Sequence, residues 1–482
     1  MNIGLCVRIV GLLLMLFSLG TLPSMTLGWL QEDGTATVFG QAFAATATSG
    51  VVLWLATQRV KSELQIRDGF MVTAAFWIVL GIYGALPFLL SDAVEISVFD
   101  AIFESVSGLT TTGATVLVGL DHIPQSILLY RQLLQWLGGI GIIVLAVAVL
   151  PMLGIGGVQL YRAESTGPAK DSKLTPRITS TAKALFSIYL GLTVSCALAY
   201  FLAGMTAFDA ISHAFSTIAI GGFSTHDASM GYFDSNIILL ISSLFMLISA
   251  VNFGLHFVAF SKRSPSIYRY DSETKFFSGM VLIAVIVTCG TLIAMDTLAL
   301  EEALIHGLFQ TVSIATTTGY ASDNFAAWPS FLPIFLLMLS VMGACAGSTG
   351  GGMKAMRILL IFRQGLRELR QLLHPNAVIP LKLDHRRVRP EVVSAVWSFF
   401  AVYMFSSFVL VLAMLGTGLD FLSAVSAVMA SINNLGPGLG SVAANYGAVS
   451  DAGKVILCVA MLLGRLEIFT LLILFTPTFW RP

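Results

Sequence analysis

Apolar runs of roughly twenty residues recur along the whole chain, separated by short polar links whose charge alternates in sign. A run of that length crosses a bilayer as a helix, because a helix satisfies its own backbone in hydrocarbon. Ten spans are predicted: residues 9–29, 38–56, 70–90, 128–153, 184–202, 237–260, 277–294, one starting near 331, 393–415 and 455–475. Arg8 ahead of the first run also fits a signal peptide. The run shows no clear small-residue cleavage site and is long enough to span, so a retained helix is expected.

One set of links is basic. It carries Arg59, Lys61 and Arg67, then Arg162, Lys170, Lys173, Arg177 and Lys183, then Lys262, Arg263, Arg269 and Lys275. The last and most basic holds Arg363, Arg367, Arg370, Lys382, Arg386, Arg387 and Arg389. Acids gather at the other ends of the spans: Asp92, Glu95, Asp121, Asp227, Asp234, Glu301, Glu302, Asp323 and Asp451. Basic loops stay in the cytoplasm, so both termini are expected inside and the acidic mouths outside. The link over 363–389 reads either as a docking surface for a regulator or as plain topology signal.

After the first two spans, each pair encloses a shorter apolar segment that ends in Gly. The segments are Glu104-Ser105-Val106-Ser107-Gly108-Leu109-Thr110-Thr111-Thr112-Gly113, His213 to Gly222, Thr311 to Gly319 and Met429 to Gly436. The glycines recur at intervals of about a hundred residues, the mark of an internal repeat. Phe99-Asp100-Ala101-Ile102 matches Phe208-Asp209-Ala210-Ile211, each Asp thirteen residues before its Gly. Asp suits a helix start, as a cap or as a partner of the dipole, and the negative end of each short helix then faces the Gly loop. The expected fold is an all-α polytopic membrane protein with four potassium-channel-like repeats around one pore, preceded by two extra transmembrane helices. The expected division is 1–66 for the N-terminal pair, then repeats at 67–180, 181–272, 273–390 and 391–482.

Gly admits backbone conformations that other residues resist, so such a loop aims carbonyl oxygens at one axis and replaces the water shell of a cation. The candidate ligands are Thr111, Thr112 and Gly113; Ile220, Gly221 and Gly222; Thr317, Thr318 and Gly319; and Asn434, Leu435 and Gly436. Ile220 and Leu435 offer only main chain, and a site of carbonyls without a carboxylate ring suits a monovalent ion better than calcium or magnesium. Any one loop alone reads as a helix-packing turn; four in register favour a filter.

Gly347, Ser348, Thr349, Gly350, Gly351, Gly352 and Lys354 fall inside the span after the third loop. Consecutive glycines cost a helix roughly 1 kcal/mol each relative to Ala, so a break below the filter is expected. It reads as a gate or as close helix packing. Arg465 lies about 16 Å beyond Lys454 along a helix, near mid-bilayer, where Arg costs at least about 2.5–3.5 kcal/mol. It reads as a barrier to cations in the cavity or as half of a structural ion pair, for which Glu467 is badly placed.

Composition narrows the class. The chain of 482 residues is 56% hydrophobic and 11% charged, against about a quarter charged in soluble domains. Cys6, Cys196, Cys289, Cys345 and Cys458 have no disulfide or metal spacing and read as buried thiols. Asn252, His256 and Gln310 read as interhelical hydrogen-bonding groups. No P-loop, dinucleotide fingerprint or catalytic constellation is visible, so no nucleotide is expected on this chain, and neither an enzyme nor a nucleic-acid partner is expected.

These residues resemble the Trk/Ktr/HKT superfamily of cation transporters, most closely its TrkH-type potassium-uptake subunits. The marks are Thr110 to Gly113, Ile220 to Phe223, Asn433 to Gly438, the 347–354 loop and Arg465. The resemblance implies potassium uptake across the bacterial inner membrane by a homodimer among membrane lipids. It also implies gating by the 347–354 loop, the pore arginine and a cytosolic TrkA-like ring of nucleotide-sensing RCK domains. Relatives that prefer sodium carry Ser at the first filter glycine; Gly113 implies potassium. The alternative is a proton- or sodium-coupled potassium symporter, with Glu467 as its membrane acid.

Overall fold

The computed structural model describes residues 2–60, 65–148, 178–384 and 386–481. Among them the architecture is helical, apart from one hairpin pairing Lys382–Leu383 with Arg386–Arg387. Lys61, Arg162, Lys170, Lys173 and Arg177 of the basic links lie outside the described residues, as does the end of the span expected at 128–153.

Ile3–Ser18, continued by Leu22–Gln31, packs against Ala36–Thr57. The two cross at Gly11 and Gly50, where a methyl on either would stand under 3 Å from the other's carbonyl oxygen (2.8 and 2.7 Å). Small residues at such a crossing let two helices approach closely where lipid supplies no hydrophobic drive.

Four repeats follow. Their outer helices are Ile66–Tyr83, Ile178–Leu202, Ser272–Ala294 and Pro390–Leu415. Their half-helices are Val98–Leu109, Ala207–Ala219, Leu300–Ala315 and Phe421–Ile432. Ser97 and Asp100 cap the first reciprocally, Thr206 caps the second and Asp420 the fourth; the third carries Glu301 and Glu302 in its opening turn. Each start thus holds acid beside the positive end of the dipole, and each negative end runs inward to a Gly loop.

The returning helices differ from one another. The first, Gln125–Ala148, is unbroken over the described residues. The expected continuous span at 237–260 is instead two helices, Asn236–Ser249 and Phe253–Lys262, bent by 92°. Asn252 causes this: its Oδ1 accepts the Leu255 N–H at 3.2 Å, starting a new helix, and its Nδ2 donates to the Ala346 carbonyl at 2.5 Å. The expected span at 455–475 likewise bends by 111° after Arg465. Glu467 and Ile468 there take left-handed φ of 53° and 57°, and the Ile468 N–H closes back on the Leu463 carbonyl at 2.8 Å. Apolar periodicity reads faces, not caps, so neither bend is visible in it. The third return is interrupted, as expected, between Leu332–Met342 and Ala355–Leu373. Among the described residues six helices have the length and composition to cross a membrane, or up to eight counting each bent pair as one span, against the ten spans expected. The chain is a multi-pass membrane protein.

Candidate ion-conduction site

All four half-helices end in the same way. The N–H groups of Thr112, Gly221, Thr318 and Leu435 donate five residues back, to Ser107, Ser216, Ser313 and Ala430, at 2.8–2.9 Å. The preceding N–H groups of Thr111, Ile220, Thr317 and Asn434 donate three residues back, at 2.9–3.1 Å. This double closure needs a left-handed residue at the first position past the helix. Here that residue is never glycine: Thr111, Ile220, Thr317 and Asn434 have φ of 53°, 55°, 66° and 51°. A β-branched residue in that region is an outlier held by its surroundings.

Two residues on, Gly113, Gly222, Gly319 and Gly436 are also left-handed, with φ of 81°, 80°, 84° and 98°. Alternation of the two hands turns successive N–H groups to one side of the chain and their carbonyls to the other.

The loops close into a ring. A methyl on Gly113 would collide with the carbonyl oxygen of Gly221, one on Gly222 with that of Thr318, and one on Gly319 with that of Leu435. One on Gly436 would meet the carbonyl oxygen of Thr112, at 2.6 Å. Every loop therefore touches the next, and the fourth touches the first. The carbonyls of Thr112, Thr318 and Leu435 accept no hydrogen bond among the described residues; that of Gly221 accepts one from Gln135 Nε2 at 2.6 Å. Buried carbonyls are rarely left unpaired, so convergent ones are a ready cation site.

Residues 343–354 lie against the entry ends of three loops. Thr349 Oγ1 donates to the Ile218 carbonyl at 3.0 Å, the Gly351 N–H to Thr317 Oγ1 at 2.7 Å and the Gly352 N–H to the Asn433 carbonyl at 3.0 Å. A methyl on Gly351 would collide with the Asn433 carbonyl, so this approach requires glycine. Lys354 Nζ folds back to the Gly350 carbonyl, Ser348 Oγ caps the Cys345 carbonyl at 2.6 Å, and Gly347 receives the Phe253 N–H at 3.0 Å. Arg465 Nη1 donates to the Thr349 carbonyl at 3.0 Å, while its Nε and Nη2, also buried, find no partner among the described residues. Glu467 instead meets Arg357, at 2.6 Å.

The family model described as "TrkH: Cation transport protein" matches residues 35–481. The chain belongs to that family. It is 56% identical over 478 residues to the Trk system potassium uptake protein TrkH of Vibrio parahaemolyticus, covering 98% of this chain and 99% of the relative. It is 53% identical over 477 residues to the TrkH of Escherichia coli, covering 98% of each. A crystal structure of the potassium transporter TrkH from Vibrio parahaemolyticus superposes with a TM-score of 0.93 at 53% identity, over 100% of both chains.

In this TrkH-family chain, side chains nine residues ahead of three of the glycines tie down the strand leaving the ring. Glu104 accepts from Thr115 Oγ1 and from the Val116 N–H, both at 3.0 Å. His213 Nε2 meets Ser224 Oγ at 2.9 Å, and Gln310 Nε2 donates to the Tyr320 carbonyl at 3.2 Å. The fourth repeat has Ala427 at that position, and the neighbouring Ser426 accepts the Leu439 N–H at 2.9 Å. Glu104 is fully buried and paired with Arg131 at 2.7 Å. Arg131 also donates to the Ser224 carbonyl at 3.1 Å and lies 4.2 Å over the Phe223 ring, joining the first loop to the second.

Sequence reasoning missed Arg131 and Gln135. A charge and an amide one helical turn apart inside an apolar span were the available signal. It also missed Glu273, a buried acid whose Oε1 accepts the Ala346 and Met356 N–H groups at 2.6 and 3.2 Å, framing the 343–354 loop. Of the groups expected to bond between helices, His256 bonds the Ile248 carbonyl of the preceding helix, whereas Asn252 and Gln310 bond the loop carbonyls of Ala346 and Tyr320. The five cysteines are buried and free.

Past the second loop, His226 Nδ1 meets Asp121 Oδ1 at 2.5 Å, Nε2 lies 3.3 Å from Asp209 Oδ1, and the ring stacks on Tyr232 at 3.4 Å. Burial works against the charged imidazole most strongly, but hydrogen bonds and charge from Asp209 and Asp121 together hold it above the usual histidine range.

Proposed function

We propose that this protein passes potassium into the cell through the ring of Gly113, Gly222, Gly319 and Gly436. The observation that carries the reading is the closed contact of four identically shaped loops around convergent carbonyls. The named relatives are potassium uptake proteins, which supports the choice of ion. A dehydrated alkali ion is held by the carbonyls of Thr111 to Gly113 and their counterparts, and the four helix dipoles favour its charge. The membrane potential drives entry, at about 2.3 kcal/mol per charge per 100 mV.

The 347–354 loop closes the path beneath the ring, and Arg465 adds a positive charge there. A coupled symporter needs a titrating acid on the path; the ion pair of Glu467 with Arg357 argues against it in that role. The protein acts as a homodimer in the bacterial inner membrane, basic links inward, with a cytosolic TrkA-like ring docking on the 363–389 link.

Growth rescue at low potassium in cells stripped of their own uptake systems tests the reading. Rescue by this chain, lost on Gly113→Ser with a gain of sodium current, is the expected result. Failure to rescue with a correctly inserted protein and its regulator present overturns it.

A further inference from the structure

The 92° bend in the second returning helix leaves a groove of about 730 Å³ against the outer helix of the third repeat. Its walls are apolar: Ile248 and Val251 at the bend, Phe277 and Val281 opposite. It opens sideways, for its rim residues Phe260 and Leu282 are 67% and 60% exposed. At one end His256 and Tyr268, which line the groove, satisfy each other at 2.8 Å. The segment closing that end is one-signed at its surface. Lys262, Arg263, Arg269 and Lys275 are exposed, whereas its acids, Asp271 and Glu273, are buried within the fold.

We propose that this groove holds an acyl chain of an anionic phospholipid whose headgroup sits among Lys262, Arg263, Arg269 and Lys275. In a multi-pass protein the medium beside a lateral apolar groove is lipid, and each buried methylene contributes about 0.8 kcal/mol. Basic residues at the membrane surface select anionic headgroups. The groove also backs onto the 343–354 loop: the Ala250 carbonyl accepts the Cys345 N–H at 2.9 Å, and the Phe253 N–H donates to Gly347 at 3.0 Å. An occupant pressing on Ile248 and Val251 thus bears on the bend that carries the loop.

Native mass spectrometry of the purified full chain, given phosphatidylglycerol or phosphatidylcholine, reads the site without any transport. Failure here is therefore distinguishable from failure of the potassium reading. The expected result is one phosphatidylglycerol retained per chain in preference to phosphatidylcholine. Ser278→Trp fills the groove and removes that adduct. Lys262→Gln with Arg269→Gln leaves the groove open and weakens retention about fivefold per cation removed. Equal retention of the two lipids, or an adduct unchanged in both variants, overturns the proposal. So does a Ser278→Trp chain that keeps its adduct but changes oligomeric state, which would make the groove a surface between copies.

Discussion

The ring and the helices that return from it obey opposite rules. Above, loops as unlike as Thr111-Thr112-Gly113 and Asn434-Leu435-Gly436 adopt one backbone, with matching left-handed residues and matching closing bonds. Below, one return is unbroken over the described residues, two bend by 92° and 111°, and one gives way to the 343–354 loop. A bare cation needs oxygens at equal reach from every side, so geometry is kept while side chains vary. A closure needs only one element that crosses the path, and among the described residues only the third return is replaced by a loop of this length. On the proposed function, symmetry would mark where the ion is recognised, and its loss where passage is controlled.

The largest effect is expected where the ring is closest. Gly319→Ala places a methyl into the Leu435 carbonyl at a φ of 84°. Strain of about 3 kcal/mol corresponds to a roughly hundredfold loss of rubidium flux in reconstituted vesicles. Gly279→Ala, which meets nothing within 4 Å, should leave flux unchanged. Equal flux in both variants would break the comparison at its upper half.

Next comes the buried pair behind the first loop. Arg131→Met leaves the Glu104 carboxylate buried without its partner and should cost about 3–5 kcal/mol of stability, read from thermal melting in detergent. Adding Glu104→Gln should recover much of it. His213→Ala, in the neutral counterpart of the second repeat, should cost only about 1–3 kcal/mol. Similar costs at both positions would mean that the backing, like the backbone, is symmetric.

The upper half was far more legible in the chain than the lower. Gly113, Gly222, Gly319 and Gly436 stand out because a repeat of glycine after an apolar segment is a pattern along one dimension. Asp100 and Asp209 in the first turns of their half-helices are likewise local signals. The left-handed Ile220 was hidden, since nothing in its side chain asks for that conformation; the closing bonds and the packed ring impose it. Arg131 is legible only as a charge in an apolar span and Glu273 only as one acid within a basic link, because their partners lie 27 and 73 residues away. The bend at Asn252 depends on the carbonyl of Ala346, a contact no periodicity carries.

A smaller effect, of opposite sign, is expected below the ring. Arg465→Ala removes a charge-assisted hydrogen bond to Thr349, of about 1.5–3 kcal/mol, that ties the helix Asp451–Arg465 to the loop. If that bond is made only in the closed state, flux should rise roughly ten- to a hundredfold. Unchanged flux from a folded, correctly inserted variant would remove Arg465 from the control of passage and leave it as a buried structural group.

The smallest effect sharpens the comparison at the rim of the ring, where the second loop differs from the other three by its histidine clamp. His226 links the exit of that loop to Asp121 beyond the first and to Asp209 at the start of its own half-helix. Asp227, on the next residue, holds the Leu120 N–H at 3.1 Å, and His213 stacks on the inner side. Because its folded-state value is raised above the reference of 6.5, the clamp stabilises fully below that pH and fades as pH rises through the raised value. The imidazole is partly exposed, so each pair is worth about 0.2–1 kcal/mol. Melting followed from about pH 5.5 to about pH 8.5 should show stability falling with pH, and His226→Gln should flatten that slope. A slope that survives the substitution would assign the titration to another group and leave the four loops equivalent at the rim as well as in the ring.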